Sequence, residues 1–370
     1  MTIINILHVT FDMAIGGTEQ VIRHLITNLD REKYNCSILC IDGRVGEIGK
    51  QLQADDVNIH CLERQPGFDT HLIGSVRHLI REHDVQIVHC HQYTPYVYGL
   101  LGSIGTGAKV FFTEHGRFYP DIFKIKRALV NPLLSLLTTE ITAISAATKN
   151  ALIQYERLPS KKIGVIYNGI LQLQPDADKV EQIREQLEIG DDERIIGTVS
   201  RLDSIKNHPL MLEACKSVLE HHPKTRLLIV GDGPTRGELE SHISALQLQD
   251  RVVLTGYTSE PENYLSLMEV YLLSSFSEGM SMTLLEAMSL SIPCVVTDVG
   301  GNGEVVEHGK TGIVVPNNDL KRFTDGIQTL LGDKALLQAY GKAGRRRFQR
   351  EFTSEKMAQS YSLLYEKQRV

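Results

Sequence analysis

Short runs of apolar, largely β-branched residues alternate with longer amphipathic runs along the whole chain. Strand candidates in the first half are Asn5–Thr10, Ser37–Ile41, Gln86–Cys90, Lys109–Thr113, Glu140–Ile144 and Ile163–Tyr167. In the second half they are Arg194–Ser200, Arg226–Val230, Arg251–Thr255, Val270–Ser274, Pro293–Thr297 and Gly312–Val315. Runs such as RLLIVG and IPCVVTD are apolar on both faces, as strands buried inside a parallel sheet must be. Helical patterns fall between them at Thr18–Leu29, His71–His83, His208–His221, Arg236–Leu246 and Thr283–Ser289. A β–α series that runs twice predicts an α/β fold with two doubly wound, Rossmann-like domains. Length agrees, since 370 residues leave room for two domains of roughly 150 each. A polar stretch, LQLQPDADKVEQIREQ, separates Tyr167–Ile170 from the fresh strand ERIIGTVS, so the boundary is expected near 171–191.

Composition narrows the function. Lys and Arg number 39 against 45 Asp and Glu, a net charge of -6, which disfavours a nucleic-acid partner. No two cysteines form a Cys-x-x-Cys pair, and five of the six lie in or beside apolar runs. Cys36, Cys40, Cys61, Cys90, Cys215 and Cys294 therefore read as buried, reduced thiols. The first residues lack the basic segment of a leader, and no window approaches the roughly 18 apolar residues of a membrane span. A cytoplasmic location is expected. Arg345, Arg346 and Arg347, in the charged helical tail after Leu320, read as a solvated helix face. Ile125–Leu137 mixes leucines with Lys126 and Arg127, next to Phe123 and Lys124. Its first reading is a core helix with one basic edge. Its second is a peripheral contact of residues 122–137 with an anionic membrane surface.

Ligands of open α/β sheets bind outside the carboxyl ends of the strands. After the first strand, Gly16 and Gly17 precede a helix, where backbone amides can approach an anion. After Arg194–Ser200, Arg201 and Lys206 sit in one short loop, two cations that suit a diphosphate. VGDGPTRG imitates a dinucleotide fingerprint, but its last glycine is one residue late and Pro234 interrupts it. It reads as a structural turn. Glu278 and Glu286 have seven residues between them, with Glu286 placed two turns into a helix. On the order of 12 Å along a helix is too far for a carboxylate pair acting on one bond, but it suits a long ligand across a helix N-terminus. His115 ends a strand before Gly116, where it can donate or accept a hydrogen bond. The His89-Cys90-His91 run is expected to alternate across its strand, so that its side chains do not converge on a metal ion. With no Asp-x-Asp loop and no His-Glu-x-x-His, no metal site is expected.

Taken in order, the GG-T-E turn, the strand-end EHG, the R-x4-K loop, the GDGP turn and EGMSMTLLEAM resemble the family 4 glycosyltransferases of GT-B fold. YNGI and GGNGEVVEHGKTGIVVP add to the likeness, which spans essentially the whole chain. The resemblance implies a retaining, metal-independent hexosyltransferase with no cofactor. It implies an N-terminal acceptor-side domain, residues 1–170 plus 353–370, and a C-terminal nucleotide-sugar domain, residues 171–352. The amides of Gly16 and Gly17 would meet the donor phosphates, and Arg201 and Lys206 would hold the diphosphate as leaving group. Glu278 would bind the transferred sugar beside the amides of Gly279, Met280, Ser281 and Met282. Glu286 would bind the ribose, and His115 would touch the sugar near the reacting carbon. The expected donor is a nucleoside diphosphate sugar, with uridine ahead of guanosine. The expected acceptor is a glycan or lipid-linked glycan of the cell surface. Met280-Ser281-Met282 replaces the family's frequent Gly-Leu-Pro, so the sugar is left open. A nucleotide-sugar epimerase on the same fold and a non-catalytic sugar-nucleotide binder are the alternative readings.

Overall fold

The computed structural model describes residues 3–116 and 122–367; residues 368–370 of the expected last helix lie outside them. The chain divides into two compact units. One takes the chain up to Leu171 and resumes at Ser354; the other is Gln172–Thr353.

The first unit is built on strands β1 (Ile4–Thr10), β2 (Tyr34–Cys40), β3 (Asn58–Cys61), β4 (Ile87–His91), β5 (Lys109–Glu114), β6 (Glu140–Ala143) and β7 (Ile163–Val165). They form one parallel sheet in the order β3-β2-β1-β4-β5-β6-β7. Helices α1 (Gly17–Asn28), α2 (Glu47–Ala54), α3 (Thr70–Glu82), α4 (Tyr93–Ser103), α5 (Ile125–Leu137) and α6 (Ala146–Glu156) cross between strands. The second unit contains α7 (Ala177–Gln186), β8 (Arg194–Val199), α8 (His208–Leu219), β9 (Thr225–Val230), α9 (Arg236–Leu246), β10 (Val252–Gly256) and α10 (Pro261–Leu265). It continues with β11 (Val270–Leu273), α11 (Met282–Ser289), β12 (Cys294–Thr297), α12 (Asn302–Val305), β13 (Gly312–Val315), α13 (Leu320–Gly332) and α14 (Lys334–Glu351). Its parallel sheet runs β10-β9-β8-β11-β12-β13. The last helix, α15 (Ser354–Glu366), packs on α1 in the first unit.

The sheets follow from their sequences. β11 and β12 are buried along their full length, which only a strand covered on both faces requires. In the second unit Ile196, Leu227, Ile229 and Leu272 pack with Met211 and Leu212 of α8 and Phe323 and Ile327 of α13. Each such side chain contributes roughly 1.5–3 kcal/mol when fully buried.

Four expectations change. The interdomain stretch is not wholly linker, because α7 occupies Ala177–Gln186 behind an Asp176 cap. Cys61 is exposed on edge strand β3, although Cys40, Cys90, Cys215 and Cys294 are buried; all six are free. Arg347 is not solvated like Arg345 and Arg346: it donates to the carbonyls of Glu304 and Val305 at the end of α12 and pairs with Glu307. The main change is at α5, which is no core helix. Its polar residues Asn131 and Ser135 face inward, while Ile125, Leu129, Leu133, Leu136 and Leu137 are exposed.

Candidate active site

The order of each sheet reverses beside its first strand, and such a switch point opens a crevice at the carboxyl ends. In the second unit the switch lies between β8 and β11. The loop after β8 carries Arg201 and Lys206, and the loop after β11 carries Glu278. Topology thus brings the loop of Arg201 and Lys206 beside that of Glu278, 72 residues beyond Lys206 in sequence.

The loops are held by their own backbone. Ser274 Oγ donates to the carbonyls of Lys206 and Asn207, both at 2.8 Å, and the Phe276 amide donates to Ile205. Asp203 caps the short turn before Lys206. The GDGP segment backs this loop: Leu202 donates to Asp232 and accepts from Thr235. A Cβ on Gly231 or Gly233 would overlap the carbonyl of Ser200 or Leu202, so those glycines serve close backbone packing. Gly300, at φ +52, passes so near Glu278 that a Cβ would overlap its carbonyl.

Within this frame Lys206 Nζ donates to Glu278 Oε1 at 2.6 Å, and Ser275 Oγ donates to the same oxygen at 2.7 Å. The Glu278 side chain is only 9% exposed, whereas Arg201 is 71% exposed, with Asp203 at 4.0 Å. The reading from sequence did not foresee that Lys206 and Glu278 pair with each other. Ser281 caps α11 by accepting from the Leu284 amide, and Met280 and Ser281 are buried. Gly279 accepts from the Gly301 amide, which ties this turn to the next loop. Glu286 lies one turn into α11, not two, so only half of the eight-residue separation from Glu278 follows the helix. Its Oε2 is buried without a partner. Burial and the neighbouring charge of Glu262 raise its pKa to about 7.

In the first unit the switch lies between β1 and β4. Gly16 is extended and gives α1 no side-chain cap. Glu19, passed over in the sequence, folds back against Gly16, and burial raises its pKa to about 7. Asp12 adds to that rise and is itself paired with Arg44 at 2.7 Å.

His115 follows β5, and its Nε2 lies 2.9 Å from Nδ1 of His91. His91 Nε2 lies 3.0 Å from Nδ1 of His8. The alternation expected across β4 separates only Cys90, which packs toward α4 at Gly99. His89 and His91, two apart, share a face with His8 of β1, and one nitrogen from each lies within 4.8 Å of the others. Both nitrogens of His89 are engaged, with Tyr365 and Thr113 at 2.7 Å each. The cluster is therefore a hydrogen-bond network. Burial lowers all four imidazole pKa values, to about 3 for His8 and His115.

The polar side of α5 is anchored. Asn131 donates to Glu156 at 2.7 Å and accepts from the Tyr93 hydroxyl at 2.6 Å. Arg127 pairs with Glu156 at 3.1 Å and lies over the Tyr93 ring. Among the described residues no helix is long and apolar enough to cross a membrane.

Known proteins match along nearly the whole chain. The family model "Glycosyltransferase Family 4" matches residues 15–170, and "Glycosyl transferases group 1" matches residues 179–347. The N-acetyl-alpha-D-glucosaminyl L-malate synthase of Bacillus anthracis is 26% identical over 84% of this chain and 82% of its own length. The UDP-Gal:alpha-D-GlcNAc-diphosphoundecaprenol alpha-1,3-galactosyltransferase of Escherichia coli is 25% identical over 90% of this chain and 89% of its own. Among solved structures, Alr3699/HepE of Anabaena in complex with UDP superposes with a TM-score of 0.86, at 20% identity over 99% of this chain and 100% of that one. Two parallel α/β sheets of this order are those of the GT-B fold, and the chain belongs to the group 1, family 4 glycosyltransferases.

Proposed function

We propose that the protein is a retaining glycosyltransferase that takes its sugar from a UDP-sugar, and acts without a metal ion or other cofactor. The observation that carries this reading is the Lys206–Glu278 pair, set beside Arg201 and the α11 N-terminus at the switch point of the second sheet. Arg201 and Lys206 meet the diphosphate, whose charge grows as the sugar leaves. Glu278 holds the transferred sugar beside the turn Gly279–Met282, and Glu286 accepts hydrogen bonds from the ribose. In the first unit, Gly16 and Gly17 offer amides to the phosphates, and His115 meets the sugar. The UDP in the Anabaena neighbour supports uridine ahead of guanosine.

The acceptor in this reading is a glycan or lipid-linked glycan of a cell-surface polysaccharide. The diphosphoundecaprenol in the name of the Escherichia coli relative supports it. So does the outward apolar face of α5, flanked by exposed Lys124 and Lys126, which suits a cytoplasmic membrane surface rich in anionic lipid. The test incubates the full chain with UDP-sugars and lipid-linked acceptors, with and without EDTA. Transfer with retained anomeric configuration in EDTA is expected. Loss on chelation, restored by magnesium or manganese, overturns the metal-free mechanism. A donor sugar converted to its epimer without acceptor overturns transfer itself.

A further inference from the structure

The histidines of the first sheet form a chain that runs from His8 in β1 to His115 at the end of β5. His8 Nδ1 meets His91 Nε2 at 3.0 Å, and His91 Nδ1 meets His115 Nε2 at 2.9 Å. The two outer nitrogens, His8 Nε2 and His115 Nδ1, are buried without a partner. A neutral imidazole carries one proton and one lone pair. The chain can therefore be protonated in only two ways, with every N–H pointing toward His8 or every N–H pointing toward His115. Burial keeps all three rings neutral, so neither ring nitrogen is doubly supplied.

The inner end decides between them. His8 is fully buried, and nothing accepts a proton from its Nε2. Each arrangement leaves one outer N–H to be met: at wholly enclosed His8 it would stay an orphan, the rarer and more costly fault, whereas half-buried His115 at the end of β5 can give it to a bound oxygen. We propose that His91 is a positioning residue which, backed by His8, fixes His115 as its Nδ1–H tautomer, so that His115 offers the substrate a hydrogen-bond donor. The inference rests on the proposed placing of His115 at the sugar and narrows its role: it donates to a substrate oxygen and does not take a proton. A proton gained at His115 Nδ1 would have to leave from His8 Nε2, which has no outlet.

The test is a long-range proton–nitrogen correlation spectrum of the full chain with labelled histidine, His115 being identified from a His115→Gln spectrum. A protonated Nδ1 and a bare Nε2 at His115 are expected; the reverse overturns the proposal. In His91→Phe the lock is gone, and His115 should show both tautomers. Turnover should fall roughly tenfold or more, with UDP affinity in calorimetry unchanged. In His91→Gln the amide keeps one donor and one acceptor, so the wild-type tautomer and most of the turnover should return. An unchanged His115 tautomer in His91→Phe overturns the lock. If that variant does not fold, the wild-type spectrum still decides. The expected tautomer in a protein that transfers no sugar leaves the lock standing and overturns the transferase reading instead.

Discussion

Among the cations of the switch-point site, Arg201 and Lys206 differ in what they do for the stability of the fold. Arg201 is exposed, so Arg201→Ala should leave stability within about 0.5 kcal/mol while weakening diphosphate binding. Lys206 also neutralises a carboxylate that is 9% exposed. Lys206→Met should therefore lower unfolding stability by about 1–3 kcal/mol. The double variant with Glu278→Gln should be less destabilised than the sum of the singles, as urea unfolding of all four proteins will measure. Glu286 supplies a pH test. Its pKa rises from 4.5 to about 7 on folding, so its contribution is whole below about pH 4.5 and is lost as the pH rises through 7. Glu286→Gln should remove that loss, which urea unfolding at pH 5 and pH 8 would detect. Ribose hydroxyls that donate to Glu286 favour its charged form, so UDP binding near pH 6.5 should release a proton, seen as a buffer-dependent heat. The separate residues of this site were readable because each follows a strand. The Lys206–Glu278 contact was not, because only the pairing of β8 with β11 brings those loops together. The same holds for the histidines, scattered over β1, β4 and the end of β5 and joined only by sheet register.

Elements with a clear periodicity were legible, and those without it were not. β3 is a four-residue edge strand, half exposed, with no apolar run to mark it. α4 is buried nearly all round, so it carries no amphipathic stripe. α7 has the opposite problem, for none of its residues is buried and only the Asp176 cap announces it. The stripe on α5 was visible, but its direction was misread, because leucines usually mark the inner face. Here Glu156, which is 3% exposed, claims Asn131 and Arg127 and turns the leucines outward. Two variants separate anchor from face. Asn131→Ala should cost about 1–3 kcal/mol in denaturant unfolding, since it strips a partner from a buried carboxylate. Leu133→Glu with Leu136→Glu should leave that stability unchanged and abolish sedimentation with anionic vesicles. Vesicle binding equal to that of the parent would overturn the membrane role of this face.

On the scale of the whole molecule, the chain leaves the first unit at Leu171, builds the second, and returns at Ser354. The two crossings run side by side, for the Ser354 amide donates to the Ile170 carbonyl at 2.9 Å. The returning helix completes the first unit. Tyr361 and Tyr365 of α15 are fully buried; their hydroxyls reach Thr113 at 3.1 Å and His89 at 2.7 Å. Tyr34 of β2 holds Ser362 from the other side at 2.9 Å. Losing a buried aromatic of this size costs roughly 3–5 kcal/mol, and two of them approach the 5–15 kcal/mol that holds an ordinary domain together. The second unit has a core of its own, drawn from β8–β13, α8, α9 and α13. A chain ending at Thr353 should therefore lose or strongly lower the melting transition of the first unit and keep that of the second. It should still bind UDP in calorimetry, more weakly than the full chain because the Gly16 and Gly17 amides are lost, if Arg201, Lys206 and Glu286 supply most of the binding, and it should transfer no sugar. Loss of UDP binding with the second transition intact would mean that the nucleotide depends on the first unit, against the roles given to those three residues.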